Sequence, residues 1–150
     1  MPTHYQGTVA EIRALDAYIK LQRAADSVMV RTNRHLSGHN LSVSQFAVLE
    51  ALYHLGPLNQ SELGRKLLKS PANITTVLQN LEKRGLLRRA RSQADQRVIE
   101  VTITTAGADL IARIMPDHIA GIVDDMGVLS AEEQQTLSHL CRKLGLGTGT

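Results

Sequence analysis

The chain of 150 residues has 43% hydrophobic residues, no Trp, one Phe, one Cys and a formal net charge of +3 at pH 7. Its length suits one domain with its own core, and the scarcity of aromatic residues favours helices over a β-sandwich. A single cysteine excludes an intramolecular disulfide framework and a zinc site built from cysteines, so we expect a reducing, cytoplasmic setting. No run of about 18 apolar residues and no export signal occurs, so we expect no membrane insertion.

Positive charge is concentrated in one stretch of the chain. Between Arg65 and Arg97 there are nine Lys and Arg residues but only two acids, Glu82 and Asp95, so the remainder of the chain carries a net charge of −4. A local cationic surface on a mildly acidic body is typical of a protein that binds a polyanion with one face. An ordinary solvated basic face is the alternative interpretation.

The first two predicted helices cover the N-terminal third of the chain. Apolar residues recur at helical spacing from Val9 to about Leu36, which predicts a long amphipathic helix that ends near Gly38. Ser42 and Gln45 have the spacing of a capping box, which predicts the start of a short second helix.

Two further short helices follow in quick succession. Asn59 with Glu62 predicts the start of the third helix. Ser70 as the N-cap and Pro71 as the first helical residue predict the start of a fourth, which ends at Gly85. The predicted buried stripe of this fourth helix consists of Ile74, Val77, Leu78 and Leu81.

After Gly85 the apolar period changes from that of a helix to that of a strand. The runs LLRRARS and VIEVTIT flank the polar segment SQADQ, which predicts a two-stranded antiparallel hairpin. Helix, short turn, helix and hairpin are the elements of a winged helix-turn-helix. The predicted fold class is therefore mainly α, with a winged helix-turn-helix, a two-stranded β wing and additional helices at both ends of the chain.

Two helices complete the chain. Thr104 or Thr105 is predicted to cap a fifth helix, in which Pro116 should produce a kink. Ser130 with Glu133 predicts a sixth helix, whose apolar face includes Cys141. We expect packing rather than redox chemistry from this cysteine.

The outward face of the fourth helix has the composition of a base-reading surface. Amides can bond base edges, threonine methyl groups can contact thymine methyl groups, and a lysine can reach a phosphate. The alternative is an ordinary polar helix face. The predicted DNA-contacting residues of this helix are Ser70, Ala72, Asn73, Thr75, Thr76, Gln79, Asn80 and Lys83.

The hairpin is predicted to follow the DNA backbone. Its arginines can displace counterions from phosphates, and Arg97 near the tip is the predicted minor-groove residue. Asp95 is predicted to pair with Arg97 and to fix the direction of that side chain. The predicted contact residues of the wing are Arg88, Arg89, Arg91, Asp95, Gln96 and Arg97.

The segment DQRVIEVTIT resembles the wing signature of the MarR family of bacterial transcription regulators: an acid, any residue, Arg, and a strand that ends in Leu-Thr, here Ile103-Thr104. The segments NLSVSQFAVLEAL and SELGRKLLKSPANITTVLQNLEKRGLLRR agree with that family in order and spacing. The resemblance covers roughly Ile12 to Leu144.

The resemblance implies a homodimer on a pseudo-palindromic DNA operator, usually a repressor. Many proteins of this kind release DNA when a small phenolic or otherwise aromatic ligand, or an oxidant, acts. The resemblance further implies a single chain with dimerisation helices at about 8–38 and 105–146 and a winged helix-turn-helix at about 42–104. The surplus of apolar helix faces at both ends of the chain agrees with a twofold partner.

The resemblance also implies an effector pocket where the first two helices and the fifth meet the winged domain. Residues of suitable chemistry there are Met29, His35, Phe46, Tyr53 and Met115. Each of these residues could instead belong to the ordinary core.

Other functions receive little support from the sequence. No catalytic motif can be assembled, so we expect no enzyme and no cofactor. His35 and His39 are four residues apart but have no third ligand nearby, so we expect no metal site. The alternative function is a winged-helix interaction module whose basic face docks an acidic protein partner.

Overall fold

The computed structural model describes residues 3–67 and 69–149. In chain order, its elements are α1 (Val9–Thr32), a 3-10 helix (Arg34–His39), α2 (Val43–Leu55), β1 (Leu58–Asn59), α3 (Gln60–Lys66), α4 (Pro71–Lys83), β2 (Leu87–Arg91), β3 (Ile99–Ile103), α5 (Thr105–Met126) and α6 (Ala131–Leu146). This mainly helical fold with a small antiparallel sheet confirms the predicted fold class.

Capping side chains fix the starts of most helices. In each capping box the N-cap side chain accepts from a backbone N–H of the first turn, and a Glu or Gln side chain accepts from the backbone of the N-cap. Three of the boxes were predicted, and the box at the start of α1 was not. The four pairs are Thr8–Glu11, Ser42–Gln45, Asn59–Glu62 and Ser130–Glu133.

The predicted end of the first helix near Gly38 is wrong. The α-helix ends at Thr32, and both the backbone N–H and the side-chain amide of Asn33 donate to the carbonyl of Met29, at 3.1 and 2.9 Å. An asparagine that bonds the backbone in this way competes with continuation of the helix. The apolar periodicity continued to Leu36 because this residue is buried by the following 3-10 helix.

The wing is part of a three-stranded sheet rather than an isolated hairpin. The predicted strands pair from Leu87 with Ile103 to Arg91 with Ile99. The two-residue strand β1 adds to the other edge of β3, which gives the order β1-β3-β2. Two residues are too few for strand periodicity, so β1 could not be found from the sequence. This strand attaches the wing to the start of α3.

The chain divides into two compact units. One is His35–His118, and the other combines the N-terminal residues up to Arg34 with the C-terminal residues from Ile119. The predicted ranges placed the whole fifth helix with the dimerisation region, whereas the first part of α5 belongs to the winged unit. Within the terminal unit, Arg31 Nε donates to Asp125 at 2.7 Å and links α1 to α5.

The buried apolar core lies in the winged unit. All fifteen buried apolar residues of the described chain fall between Leu36 and Ile114, and they include Leu49, Leu78 and Val101. Helices α2, α3, α4 and α5 and strands β2 and β3 all contribute to this core, which therefore fixes α4 relative to the wing.

The start of α5 is packed tightly against Gly85 and Leu86, which follow the end of α4. The hydroxyl of Thr104 accepts from the N–H of Gly107 and donates to the carbonyl of Gly85, so Thr104 rather than Thr105 caps the helix. A Cβ atom on Gly107 would lie 2.1 Å from the carbonyl oxygen of Leu86, so only glycine fits there. Helix α5 continues through Pro116 to Met126.

Candidate nucleic-acid interface

The predicted base-reading face of α4 is open to solvent. The helix buries Ile74, Leu78 and Leu81 against the core, which turns the opposite side outward. Ser70 is used as the N-cap, where its hydroxyl accepts from the N–H of Asn73 at 3.2 Å. The predicted contact residues exposed on α4 are Ala72, Asn73, Thr76, Gln79, Asn80 and Lys83.

Thr75 differs from the other predicted contacts because its hydroxyl both donates and accepts a hydrogen bond within the protein. It donates to the carbonyl of Pro71 at 2.8 Å and accepts from the side-chain amide of Gln60 at 2.9 Å. Thr75 is also half-buried. The arrangement links Gln60, the first residue of α3, to α4, and the Thr75 hydroxyl has no proton left to donate to a base.

Arg89 braces the wing instead of extending from it. Its Nη2 and Nε atoms donate to Glu82 Oε1 at 3.0 and 3.3 Å, and its backbone N–H donates to Glu82 Oε2 at 2.9 Å. The Arg89 side chain is only 19% exposed. The pair joins β2 to the last turn of α4, so we interpret Arg89 as a structural brace rather than a phosphate contact.

A hydrogen bond across the loop stabilises the tip of the wing. Arg91 Nη1 donates to the carbonyl of Gln96 at 2.7 Å across the loop. The side chain of Gln96 remains exposed, as does that of Arg88, which makes no hydrogen bond or ion pair with any residue that the structure describes. The Arg88 guanidinium is therefore open to a phosphate.

The predicted pairing of Asp95 with Arg97 is present. Arg97 donates to Asp95 through Nε at 3.1 Å, through Nη2 at 3.3 Å and through its backbone N–H at 3.0 Å. The Arg97 side chain is nevertheless 90% exposed. Asp95 thus directs a guanidinium that still has free N–H groups, because an arginine carries five donors.

Both acids of the cationic stretch are held in the ionised form. The Arg89 side chain lowers the pKa of Glu82 by hydrogen bonding, and Arg97 lowers the pKa of Asp95 in the same way. A hydrogen bond to the charged form of a carboxyl group stabilises that form. The two acids therefore act as fixed anchors for arginines over the whole neutral pH range.

Two cavities beside α3 reveal residues that the sequence analysis did not select. One, of about 450 Å³, is lined by residues of α3 and the start of α4, and the other, of about 250 Å³, by residues of α3 and the start of β3. Ser61 and Arg65 line both cavities. Arg65 belongs to the cationic stretch already noted, and that charge was the one signal that could have identified it.

The predicted effector residues are only partly brought together. Phe46 is buried, and His35 and Met115 are half-buried in the winged unit. Tyr53 is 41% exposed and lies edge-on to His54. Met29 belongs to the terminal unit, where its side chain is 52% exposed.

His118 connects two of these residues and was missed by the sequence analysis. It is 7% exposed, its ring centroid lies 4.6 Å from that of Phe46, and its Nδ1 lies 3.3 Å from Nε2 of His35. One imidazole of this pair must donate and the other accept. Helical spacing could have located His118, because it follows the buried Ile111 and Ile114 on the same face of α5.

We expect the folded protein to lose stability as the pH falls below about 6.5, the ordinary pKa of a histidine. Burial, and then the charge of His35, lower the pKa of His118, although Glu50 opposes them. The unfolded chain therefore takes up a proton at a higher pH than the folded protein, and acidification favours unfolding. Urea unfolding on both sides of pH 6.5 measures the loss.

Replacement of His118 by phenylalanine is expected to reduce this pH dependence while keeping a ring against Phe46. The exposed His39 provides the matched control, because His39→Gln should leave the pH dependence unchanged. An unchanged pH dependence in His118→Phe would show that other groups cause it.

The part of the chain that the structure describes has no metal-binding cluster and no membrane-spanning helix. Residues 3–67 and 69–149 contain no group of three His, Cys, Asp or Glu side chains placed to hold a metal ion. None of their helices is long and apolar enough to cross a membrane. Cys141, expected to pack on an apolar face, is exposed on α6.

The fold and this surface define a winged helix-turn-helix DNA-binding protein. The model of the MarR family matches residues 41–99. The HTH-type transcriptional regulator MhqR of Bacillus subtilis (strain 168) is 38% identical over 134 residues, which cover 89% of this chain and 92% of MhqR. The chain therefore belongs to the MarR family of transcriptional regulators, as its wing motif indicated.

Solved structures agree with this assignment. Bordetella bronchiseptica BpsR, whose DNA binding is described as regulated by 6-hydroxynicotinic acid, matches with a TM-score of 0.78 at 25% identity, over 86% of this chain and 98% of BpsR. AbsC, a MarR family transcriptional regulator from Streptomyces coelicolor, shares the fold with a TM-score of 0.84 at 15% identity, over 95% and 97% of the two chains. The relatives are regulators rather than enzymes.

Proposed function

We propose that this protein is a homodimeric, sequence-specific DNA-binding regulator that occupies a pseudo-palindromic operator and represses transcription by steric occlusion. The observation that carries the proposal is the exposed face of α4, with Asn73, Gln79 and Asn80 free to reach base edges beside a braced cationic wing. Amide side chains bond bases in the major groove, and the arginines supply affinity that does not depend on sequence.

The terminal unit supports the homodimer. Within the described residues of this unit no apolar side chain is buried, although α1, the end of α5 and α6 carry many large ones. Exposed apolar surface of this extent marks an interaction site, and a twofold copy supplies a self-complementary partner. Large exposed apolar residues of this unit include Tyr18, Leu21, Ile119, Ile122, Leu137, Leu140 and Leu144.

The cluster of Phe46, His35 and His118 supports release by a small effector. It combines an aromatic ring with imidazole groups that donate or accept hydrogen bonds, a chemistry suited to a phenolic or otherwise aromatic ligand. The described regulation of BpsR by 6-hydroxynicotinic acid is an example from a relative. Measurement of DNA binding with and without such compounds tests this part of the proposal. Loss of DNA binding would support it, and unchanged binding would contradict it.

Selection of random duplex DNA by the purified protein, followed by sequencing, tests the function. We expect an inverted repeat with half-sites about one helical turn apart, because each protomer would present one α4 to the major groove. The absence of any enriched motif would contradict sequence-specific binding. It would instead favour the interaction module that docks an acidic protein.

The variant Gln79→Ala tests whether α4 reads the bases of the operator. We expect about 1–3 kcal/mol of lost discrimination between the selected operator and a scrambled duplex, with little change in binding to the scrambled duplex. Competition binding measures both affinities. Gln6→Ala, which alters an exposed glutamine outside the winged unit, is the control and should leave the discrimination unchanged.

A further inference from the structure

The smaller of the two cavities beside α3 lies between the helix-turn-helix and the wing. Its lining includes Ser61 and Arg65 of α3, together with Arg97, Val98 and Ile99 from the wing tip and β3. No acidic side chain lines this cavity. Two arginines from separate elements therefore line one small polar space.

Both arginines have donors available for an anion. The Arg65 side chain is exposed and makes no hydrogen bond or ion pair with the residues of ranges 3–67 and 69–149. Arg97 spends its Nε and one Nη2 donor on Asp95 and keeps the remaining N–H groups. A guanidinium fork matches phosphate oxygens better than any other side chain does.

Gln60 adds a second, independent observation. Its Oε1 atom is the one buried side-chain polar atom without a hydrogen-bond partner among the described residues, and Gln60 lines both cavities with Arg65. A buried acceptor without a donor is destabilising. Arg65 lines both cavities with Gln60, and its guanidinium can donate to this oxygen if the side chain turns inward.

We propose that this cavity binds one phosphate of the operator backbone, held by Arg65 and the hydroxyl of Ser61 on α3 and by Arg97 of the wing, which thus contacts the backbone beside the minor groove instead of entering that groove as its position at the tip had suggested. The inference rests on the proposed DNA-binding function and assigns Arg65 and Ser61 to it. With α4 in the major groove and the wing tip at the minor groove, the backbone strand between the two grooves passes this cavity.

The phosphate site also connects to the recognition helix. When Arg65 turns toward the phosphate, one of its N–H groups donates to Gln60 Oε1, while the Gln60 amide continues to bond Thr75 on α4. Backbone contact at Arg65 and the orientation of α4 are then joined through one glutamine side chain. Contacts to phosphates of this kind fix the register of a protein on the duplex.

The salt dependence of DNA binding tests the site. We expect Arg65→Gln to weaken binding to operator and scrambled duplexes alike, and to reduce the slope of log K against log salt by about 1, the value for one lost phosphate contact. Lys66→Gln is the matched control, because Lys66 is an exposed cation on the same helix that lines neither cavity. Equal unfolding midpoints for the wild type and both variants show that the fold is intact.

Ethylation interference locates the phosphate itself. Ethylation of a phosphate between the major-groove and minor-groove contacts of each half-site should prevent DNA binding by the wild-type protein. Ethylation at the same position should not change DNA binding by Arg65→Gln. An unchanged salt slope in Arg65→Gln, or an equal reduction in Lys66→Gln, would overturn the phosphate site while leaving the proposed function intact. Failure of the wild-type protein to bind any duplex would overturn both.

Discussion

Replacement of Glu82 by alanine is expected to weaken operator binding by about tenfold, although the change removes a negative charge from the DNA-binding surface. Coulomb attraction alone predicts the opposite result, because phosphates bind more tightly to a more positive surface. The expected loss has a structural cause: without Glu82, three hydrogen bonds between α4 and Arg89 on β2 disappear. The wing then no longer has a fixed direction relative to the recognition helix.

The size of this effect follows from the exposure of the pair. Hydrogen bonds to charged groups contribute about 1.5–3 kcal/mol each when they are buried, and exposed ion pairs contribute less than about 1 kcal/mol. The Arg89 side chain is 19% and the Glu82 side chain 37% exposed, so we expect about 1–2 kcal/mol for the brace. Fluorescence anisotropy with the operator and urea unfolding measure the two consequences.

Glu100→Ala is the control for charge, because Glu100 is an exposed acid on β3 of the same sheet. We expect this variant to bind DNA as tightly as the wild type or slightly more tightly. Glu82→Gln keeps one acceptor oxygen, so its affinity for the operator should lie between those of the wild type and Glu82→Ala. Tighter binding by Glu82→Ala would show that the brace has no role in DNA binding.

Gly107→Ala is expected to destabilise the fold by about 3 kcal/mol, at the upper end of the usual range for overpacking. The added Cβ atom would lie 2.1 Å from the carbonyl oxygen of Leu86 and 2.8 Å from the side chain of Ile103. A backbone carbonyl cannot rotate away as a flexible side chain can, so α5 must move away from Leu86. Chemical unfolding followed by circular dichroism measures the change.

Gly64→Ala is the matched control for this substitution. Gly64 is also a buried helical glycine, but a Cβ atom there would meet its nearest neighbour, the carbonyl oxygen of Lys69, at an ordinary 3.5 Å. Because alanine has the higher helix propensity, we expect no loss and a gain of up to about 1 kcal/mol. Similar stability losses in both variants would mean that close backbone approach is not the reason for glycine at position 107.

Local chemistry made the helix starts predictable. Ser42, Asn59, Ser70 and Ser130 each cap a helix through a residue three positions away, and this information lies within a single turn. The end of α1 was not predictable from apolar periodicity because Leu36 continues the pattern after the helix has changed to a 3-10 turn.

Contacts between separate elements were beyond the sequence analysis. The motif around Asp95 and Arg97 could be interpreted because the two residues are neighbours in one loop. The partner of Arg89 is Glu82, which lies on a different element. The partner of His35 is His118 rather than His39, although His39 lies only four residues from His35 in the sequence. Side-chain pairing of this kind depends on how helices and strands pack, which residue spacing alone does not specify.

The Glu82–Arg89 pair has a consequence for engineering. Regulators of this architecture invite the exchange of wings to alter their DNA preference, but the hairpin here is anchored through a carboxylate that belongs to the preceding helix. A hairpin transplanted behind a helix that lacks a carboxylate at the position of Glu82 would lose this anchor. The smallest portable module therefore runs from the start of α4 to the end of β3.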